Sequence, residues 1–187
     1  MTEKMVEQFR QKNQSLAGII HLAAGMDEAA EKVVSILQEK DAQKVALSEL
    51  PDEFRQILEQ RCAGAGMNLL KPPYNNAELP GALDSIQAGV SWAAFAIAET
   101  GALVEFATDD TNRLVSALTP VHIGVFRAAD IVENLMDAAA PIRNFYNQNP
   151  RNATVSFISG PSRTADIEMR LILGVHGPAE THAIIIN

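Results

Sequence analysis

The first seventy residues alternate short aliphatic runs with segments of helical period, and this alternation limits the fold more than any other feature. Gly18–Ala23 (GIIHLA) reads as a strand. Met26–Glu39 carries Ala30, Val33, Val34 and Leu37 on one stripe, with Asp27 and Glu28 where acidic residues suit a helix N-terminus. Lys44–Leu47 (KVAL) is a second strand. Pro51–Ala63 is a second helix, with Pro51 near its first turn, Ser48 as its candidate cap, and Gly64 and Gly66 at its end. Met67–Leu70 is a third strand. Strand, helix, strand, helix, strand needs crossover connections, so the pattern predicts a parallel sheet with helices packed on it.

The rest of the chain is read around that core. Thr2–Lys12 has Met5, Val6 and Phe9 at helical spacing and is expected to pack loosely on the main body. The expected organisation is an N-terminal helical appendage over 1–15 and one α/β domain over 16–187. Lys71–Gly81 (KPPYNNAELPG) is a loop suited to covering a cleft, and Leu83–Ala88 a helical turn. Ser91–Glu99 (SWAAFAIAE) is Ala-rich and reads as a helix, Ala102–Phe106 as a strand, and Ala107–Arg113 as a polar turn. Leu114–Thr119 leads through Pro120 into the strand Val121–Phe126. Ala128–Asn147 is a long helical pattern that Pro141 should kink or restart. Ala153–Ile158 is a further strand, Leu171–Gly174 a short apolar run, and His182–Ile186 (HAIII) a last strand that ties the C-terminus into the sheet.

Composition removes several function classes. With 47% apolar residues and 187 positions, the chain can bury a proper core. Its formal charge of −8 lacks the basic footprint of a nucleic-acid binder. No apolar run approaches the roughly 18 residues of a membrane span, and the charged N-terminus carries no secretory pattern, so a cytoplasmic protein is expected. Cys62 is the single cysteine, which excludes an internal disulfide, a cysteine zinc site and a cluster bound by this chain.

Three stretches carry candidate chemistry. In Ser159–Thr164 (SGPSRT) small and rigid residues surround one guanidinium at the end of a strand, and Asp166 and Glu168 follow. Arg163 is suited to clamping a carboxylate or phosphate, with Ser162 and Thr164 as further donors. The alternative is an ordinary capped loop with an internal ion pair. Because open α/β sheets bind ligands at the carboxyl ends of their strands, this turn is the place to look. Glu99-Thr100-Gly101 places a carboxylate on a turn, as a base, nucleophile or hydrogen-bond acceptor, or closes a helix with Gly101. His176-Gly177-Pro178 holds an imidazole on a rigid turn, in reach of general acid–base work. His21, in an apolar strand, reads as structural. His122 and His182 also lie in strands, and the histidine spacings follow no metal pattern, so no metal site is expected. No GxGxxG, GxxxxGK or GxSxG motif occurs.

The string SGPSRTADIE followed by LILGVHGP resembles the LUD-domain family of lactate-utilisation proteins, in particular its protein C branch. SWAAFAIAETGALV, LVSALTPVHIGVF and ETHAIII continue the likeness, which covers about residues 85–187. The resemblance implies a three-layer α/β/α sandwich on a mainly parallel sheet, of the NagB/RpiA/CoA-transferase-like kind. It implies a part in oxidising L-lactate to pyruvate beside iron–sulfur subunits, with this chain as the component that holds no cofactor. It points to Glu99 and His176 as catalytic residues. It points to Thr100, Gly101, Arg113, Ser159, Gly160, Ser162, Arg163, Thr164, Asp166, Glu168 and Gly177 as ligand contacts. The sequence stops just after its last strand, so docking through a C-terminal tail is not expected. A stand-alone isomerase or acyl-transfer enzyme acting on sugar phosphates or thioesters, and a non-catalytic assembly subunit, are the other readings.

Overall fold

Residues with apolar side chains on alternate positions, or on both faces, build two sheets that lie against one another. The computed structural model describes residues 2–75, 79–165 and 171–187. In chain order the elements are α1 (Thr2–Ser15), β1 (Ile19–Ala23), α2 (Met26–Glu39), β2 (Lys44–Leu47), α3 (Asp52–Gly64), β3 (Asn68–Leu70), α4 (Leu79–Leu83), β4 (Ala88–Trp92), β5 (Phe95–Ile97) and β6 (Ala102–Ala107). Then follow α5 (Asp110–Leu118), β7 (Val121–Arg127), β8 (Ile131–Val132), α6 (Ala139–Gln148), β9 (Thr154–Ile158), β10 (Arg163–Ala165), β11 (Leu171–Leu173) and β12 (Glu180–Ile186). A six-stranded sheet has the order β1-β12-β7-β4-β2-β3, with every pairing parallel. The fold is therefore α/β on a mainly parallel sheet, as the opening alternation requires.

The two faces of this sheet are filled differently. Val45, Leu47, Val90, Ile123, Val125, Ile184 and Ile186 pack on one face against Val33 and Leu37 of α2 and Phe54 and Leu58 of α3. Ala183, Ile185 and Phe126 face the other way, toward Phe9 of α1 and Leu103 of β6. A second sheet, β8-β5-β6-β9, covers that side, with β5–β6 and β6–β9 antiparallel. At Gly124 a Cβ would sit 2.3 Å from Leu103 Cδ1, so the missing side chain is what lets the second sheet close on the first.

Several expectations are corrected here. Helix α1 is not loosely held: Phe9 is fully buried, edge-on to Phe126 at 5.2 Å. The run SWAAFAIAE is not a helix. Ser91 and Trp92 end β4, and Phe95–Ile97 form β5 in the other sheet. Between them Ala93 donates its N–H to Val125 of the first sheet and Ala94 its N–H to Val104 of the second. An apolar run with no polar side is compatible with either element, and here burial from both sides favours extended chain. The Ala107–Arg113 turn gives way to α5 at Asp110. Ala128–Asn147 is not one helix: Ala128–Asp130 form a single 3-10 turn, Ile131 and Val132 pair with β5, Asn134 Oδ1 accepts from Met136 N and Asp137 N in a tight turn, and α-helix begins only at Ala139. Pro141 is then the third residue of α6, where its missing N–H has no intrahelical role. The helical turn falls at Leu79–Leu83, ahead of Leu83–Ala88. Ser48 does not cap α3, whose N-cap is Pro51 without a side-chain bond.

A polar chain crosses the outer face near β1. His21 Nε2 lies 3.0 Å from His182 Nδ1, His182 Nε2 lies 2.7 Å from Glu180 Oε1, and Lys40 Nζ lies 2.6 Å from the same oxygen. Burial holds the imidazoles of His21 and His182 below their usual range; His182 and Lys32 lower His21 further against Glu39, while Glu180 and Glu39 oppose the lowering of His182, to which Lys40 adds. Burial pushes the Glu180 carboxyl up, but Lys40 and His182 together bring it below its usual value. For the histidines the unfolded chain takes up protons first as pH falls through 6.5. Their contribution is therefore complete above that pH and is lost as pH falls toward the folded-state values. The thermal midpoint is expected to drop between pH 7.5 and pH 5.5, and the double variant His21→Gln, His182→Gln to flatten that slope. An unchanged slope would separate these rings from the pH dependence.

Candidate functional site

The carboxyl ends of the parallel strands open into a cleft with two arms. The outer arm, about 610 Å³, is lined by Ser48, Glu49, Leu50, Asp52, Arg55, Pro72, Pro73, Tyr74 and Asp109. Ser48 and Glu49 follow β2 directly, and Lys71–Asn75 follow β3, so the turn chemistry after two parallel strands forms its rim. From the expected 71–81 loop, Pro72, Pro73 and Tyr74 line this arm, Leu79–Gly81 belong to α4, and 76–78 lie outside the described residues. Tyr74 is anchored there: its hydroxyl donates toward Leu47 O, with Leu70 O at 3.2 Å. Burial pushes its phenol well above the usual range. Arg55 is engaged by Asp52 at 2.6 Å.

The inner arm, about 190 Å³, shares Ser48 and Glu49 and adds Trp92, Ala94, Glu105, Phe106, Ala107, Arg113 and Ser156. Glu105 sits on β6 opposite Ser156 of β9, and Arg113 lies on α5. Glu105 is buried, yet it borders this cavity. Beneath it Ser91 Oγ donates to Glu105 Oε1, and His122 Nε2 lies 2.7 Å from Ser91 Oγ and 3.5 Å from Glu105 Oε1. Ser91 and His122 come from neighbouring strands of the parallel sheet and Glu105 from the second sheet, so three polar side chains join the two sheets at the floor of the cleft.

Most residues singled out in the sequence lie elsewhere. Strand β9 runs antiparallel to β6 at the edge of the second sheet, and Ser159 leaves it beside Leu16, just ahead of β1. Its carboxyl end therefore meets the amino edge of the parallel sheet, and the rule about strand ends points the wrong way for this strand. Ser159, Gly160, Pro161 and Arg163 border a shallow groove of about 230 Å³ with Leu16 and Phe157. Ser162 exchanges backbone bonds with Pro178 and Gly174, and Thr164 pairs with Ile172 in the β10–β11 hairpin. His176 and Gly177 border a separate depression of about 440 Å³ with Leu118, Pro120 and Val175, ahead of β7 and β12. A Cβ at Gly177 would lie 3.2 Å from Ser162 Cβ, which puts Ser162 beside Gly177.

Glu99-Thr100-Gly101 forms the tip of the β5–β6 hairpin and closes no helix. Gly101 N donates to Ile97 O, and the exposed Glu99 carboxylate accepts from Leu135 N at 3.1 Å. Gly101 and Gly160 are both pressed against the end of α1: a Cβ would lie 2.6 Å from Asn13 N at the first and 2.6 Å from Leu16 O at the second. Asn13 Nδ2 donates to Gly101 O at 2.8 Å. Among the described residues that the resemblance names as ligand contacts, Arg113 alone borders the carboxyl-edge cleft. Asp166 and Glu168 lie outside the described residues.

The sequence reading passed over Glu105, Ser91 and Tyr74 and left His122 as a strand residue. A signal was present: Glu105 interrupts the apolar run ALVEFA, and His122 the run VHIGVF. A polar residue inside such a strand needs a partner, and the partner here is across the sheets.

The LUD domain family model matches residues 6–186. The chain belongs to the LUD-domain family. This LUD-domain chain is 33% identical over 99 residues to lactate utilization protein C of Shouchella clausii, 35% over 100 residues to that of Bacillus subtilis, and 38% over 100 residues to lactate utilization protein C 1 of Bacillus mycoides. Each match covers 53% of this chain and 42–43% of the relative, so the likeness spans less than half the length of these relatives. The crystal structure of a DUF162 family protein from Deinococcus radiodurans superposes with a TM-score of 0.70 over 100% of this chain and 99% of that one, at 19% identity, which shows a common fold. Among the described residues no helix is long and apolar enough to cross a membrane.

Proposed function

We propose that this LUD-domain chain is a component of an L-lactate utilisation system, and that its carboxyl-edge cleft holds a small ligand bearing a carboxylate. The observation that carries the reading is the identity of 33–38% to proteins named lactate utilization protein C. The cleft supports it. It lies where open α/β sheets bind ligands, and Arg113 is the cation among the described residues bordering its inner arm. A planar guanidinium there suits a carboxylate. In this reading the iron–sulfur chemistry belongs to partner subunits, and this chain works without a cofactor of its own in the cytoplasm.

A second reading is favoured by a different surface. Leu118, Leu173 and Val175 are exposed near His176 at the amino edge, beside the SGPSR turn. An apolar patch framed by Arg163 and His176 suits docking of an iron–sulfur subunit.

One experiment separates the two. Thermal unfolding of the purified chain is measured with L-lactate, pyruvate, a sugar phosphate and a CoA ester, for the wild type, Arg113→Ala and Arg163→Ala. A ligand at about a hundred times its dissociation constant stabilises by roughly 2.7 kcal/mol. The expected result is a shift with lactate or pyruvate that disappears in Arg113→Ala and survives in Arg163→Ala. Loss in Arg163→Ala alone would move the site to the amino edge. A shift only with the phosphate or thioester would replace lactate chemistry with isomerase or acyl-transfer chemistry. No shift with any of the four would leave the docking role.

A further inference from the structure

Strand β9 ends the second sheet on one side. Its residues Thr154–Ile158 pair with β6 and, among the described residues, with no other strand. The register fixes which way its main chain faces. Ala94 N donates to Val104 O, so Val104 turns its main chain toward β5. Leu103, Glu105 and Ala107 then turn theirs toward β9, where they meet Ile158, Ser156 and Thr154. The N–H and C=O groups of Val155 and Phe157 are left pointing outward. Such an edge is a template for one more strand.

Past this edge the chain turns at Gly160-Pro161 and returns with Arg163. Leu16, Phe157, Ser159, Gly160, Pro161 and Arg163 border one groove of about 230 Å³. Phe157 is half exposed and Arg163 exposed. Arg163 is the charged side chain among the residues bordering the groove, on a chain whose formal charge is −8. Its main chain pairs with Leu173 in the β10–β11 hairpin, which holds the base of the guanidinium arm in place. A strand added to β9 has two possible directions. Laid antiparallel, it runs its amino end to the groove, where an ammonium would meet a guanidinium. Laid parallel, it runs its carboxyl end there, and a free terminal carboxylate matches the guanidinium in charge and in planar shape. Leu16, Phe157 and Pro161 give the last side chain an apolar wall.

We propose that β9 and the SGPSR turn form a docking site for the C-terminal tail of a partner protein. The tail adds as a parallel strand to the free edge, seats an apolar last residue against Phe157 and gives its terminal carboxylate to Arg163. The groove shares no lining residue with the two arms of the carboxyl-edge cleft, so this docking is independent of what the cleft holds.

The test is selection of the full chain against a random decapeptide library with free C-termini and against the same library amidated, followed by fluorescence polarisation of the enriched peptide. Wild type is compared with Arg163→Ala, Phe157→Ala and Phe157→Pro, with thermal unfolding of each recorded. A hydrogen bond to a charged group corresponds to roughly ten- to hundred-fold in affinity. Enrichment is expected only in the free-acid library, for peptides ending in an aliphatic residue. Amidation of the peptide, or Arg163→Ala, is expected to weaken binding by at least about ten-fold. Phe157→Ala removes the ring and keeps the N–H, whereas Phe157→Pro removes both, and proline is tolerated in an edge strand where the N–H faces outward. The proline variant is therefore expected to bind roughly three- to ten-fold more weakly than the alanine variant. Should Phe157→Pro fail to fold, amide hydrogen exchange of the wild type decides: the Val155 and Phe157 amides are expected to exchange readily in the free chain and to be protected by the peptide. No enrichment in either library overturns the proposal, as does a peptide that binds equally well as its amide. Equal binding by the alanine and proline variants, or amides left unprotected, removes the added strand and overturns it too.

Discussion

Phe9→Ala is expected to destabilise the chain by about 3–5 kcal/mol, measured as a shift in the urea unfolding midpoint. Phe9 is fully buried between the first helix and Phe126 of β7, in a cluster with Ala183, Ile185 and Leu103. Truncation removes the ring's burial and leaves a hole between two sheets whose backbones cannot close on it. A loss of this size is a large part of the roughly 5–15 kcal/mol that holds a domain folded. A helix resting on the surface would give a change within about 0.5 kcal/mol. That outcome would restore the picture of a loosely packed N-terminal segment.

Gly101→Ala is expected to cost roughly 2–5 kcal/mol, with Gly66→Ala as its control. Both glycines have positive φ, +66° at Gly101 and +72° at Gly66, a conformation that costs other residues about 1–2 kcal/mol. They differ in what surrounds them. A Cβ at Gly66 meets nothing within 4 Å, whereas at Gly101 it meets the backbone of Asn13 and Lys12, which cannot rotate away. The overpacking, about 1–3 kcal/mol, falls on Gly101 alone. Equal losses at the two sites would show that α1 yields to the added methyl. Since Phe9→Ala and Gly101→Ala both loosen α1, their double variant is expected to lose less than the sum.

These two residues also change how the recurrent motifs are understood. ETG and SGPSR look like ligand-binding strings because glycine, hydroxyls and a charge stand together. In the fold, Gly101 and Gly160 are where the hairpin tip and the β9 exit make room for the end of α1. Glu99 bonds the backbone of the 134–137 turn. Close backbone approach and ligand approach demand the same residue type, so the string by itself does not separate them.

Local chemistry was enough for the elements that repeat a period. The span Met26–Glu39 and the strand Lys44–Leu47 were readable to the residue because each has one buried stripe or face and clear flanking breaks. The alternation of these elements required a parallel sheet, which the six-stranded sheet is. The stretch Ser91–Glu99 was not readable, because a run buried on every side carries no period, and only contact with two sheets made it two strands. The polar cluster at the floor of the cleft was not readable either. Glu105, His122 and Ser91 are separated by 14 to 31 positions and meet only because the second sheet folds across the first. Strand direction decided the remainder. Whether the end of β9 opens onto the cleft or onto the opposite edge depends on antiparallel pairing with β6, a long-range choice fixed by packing and invisible in the residues of β9 itself.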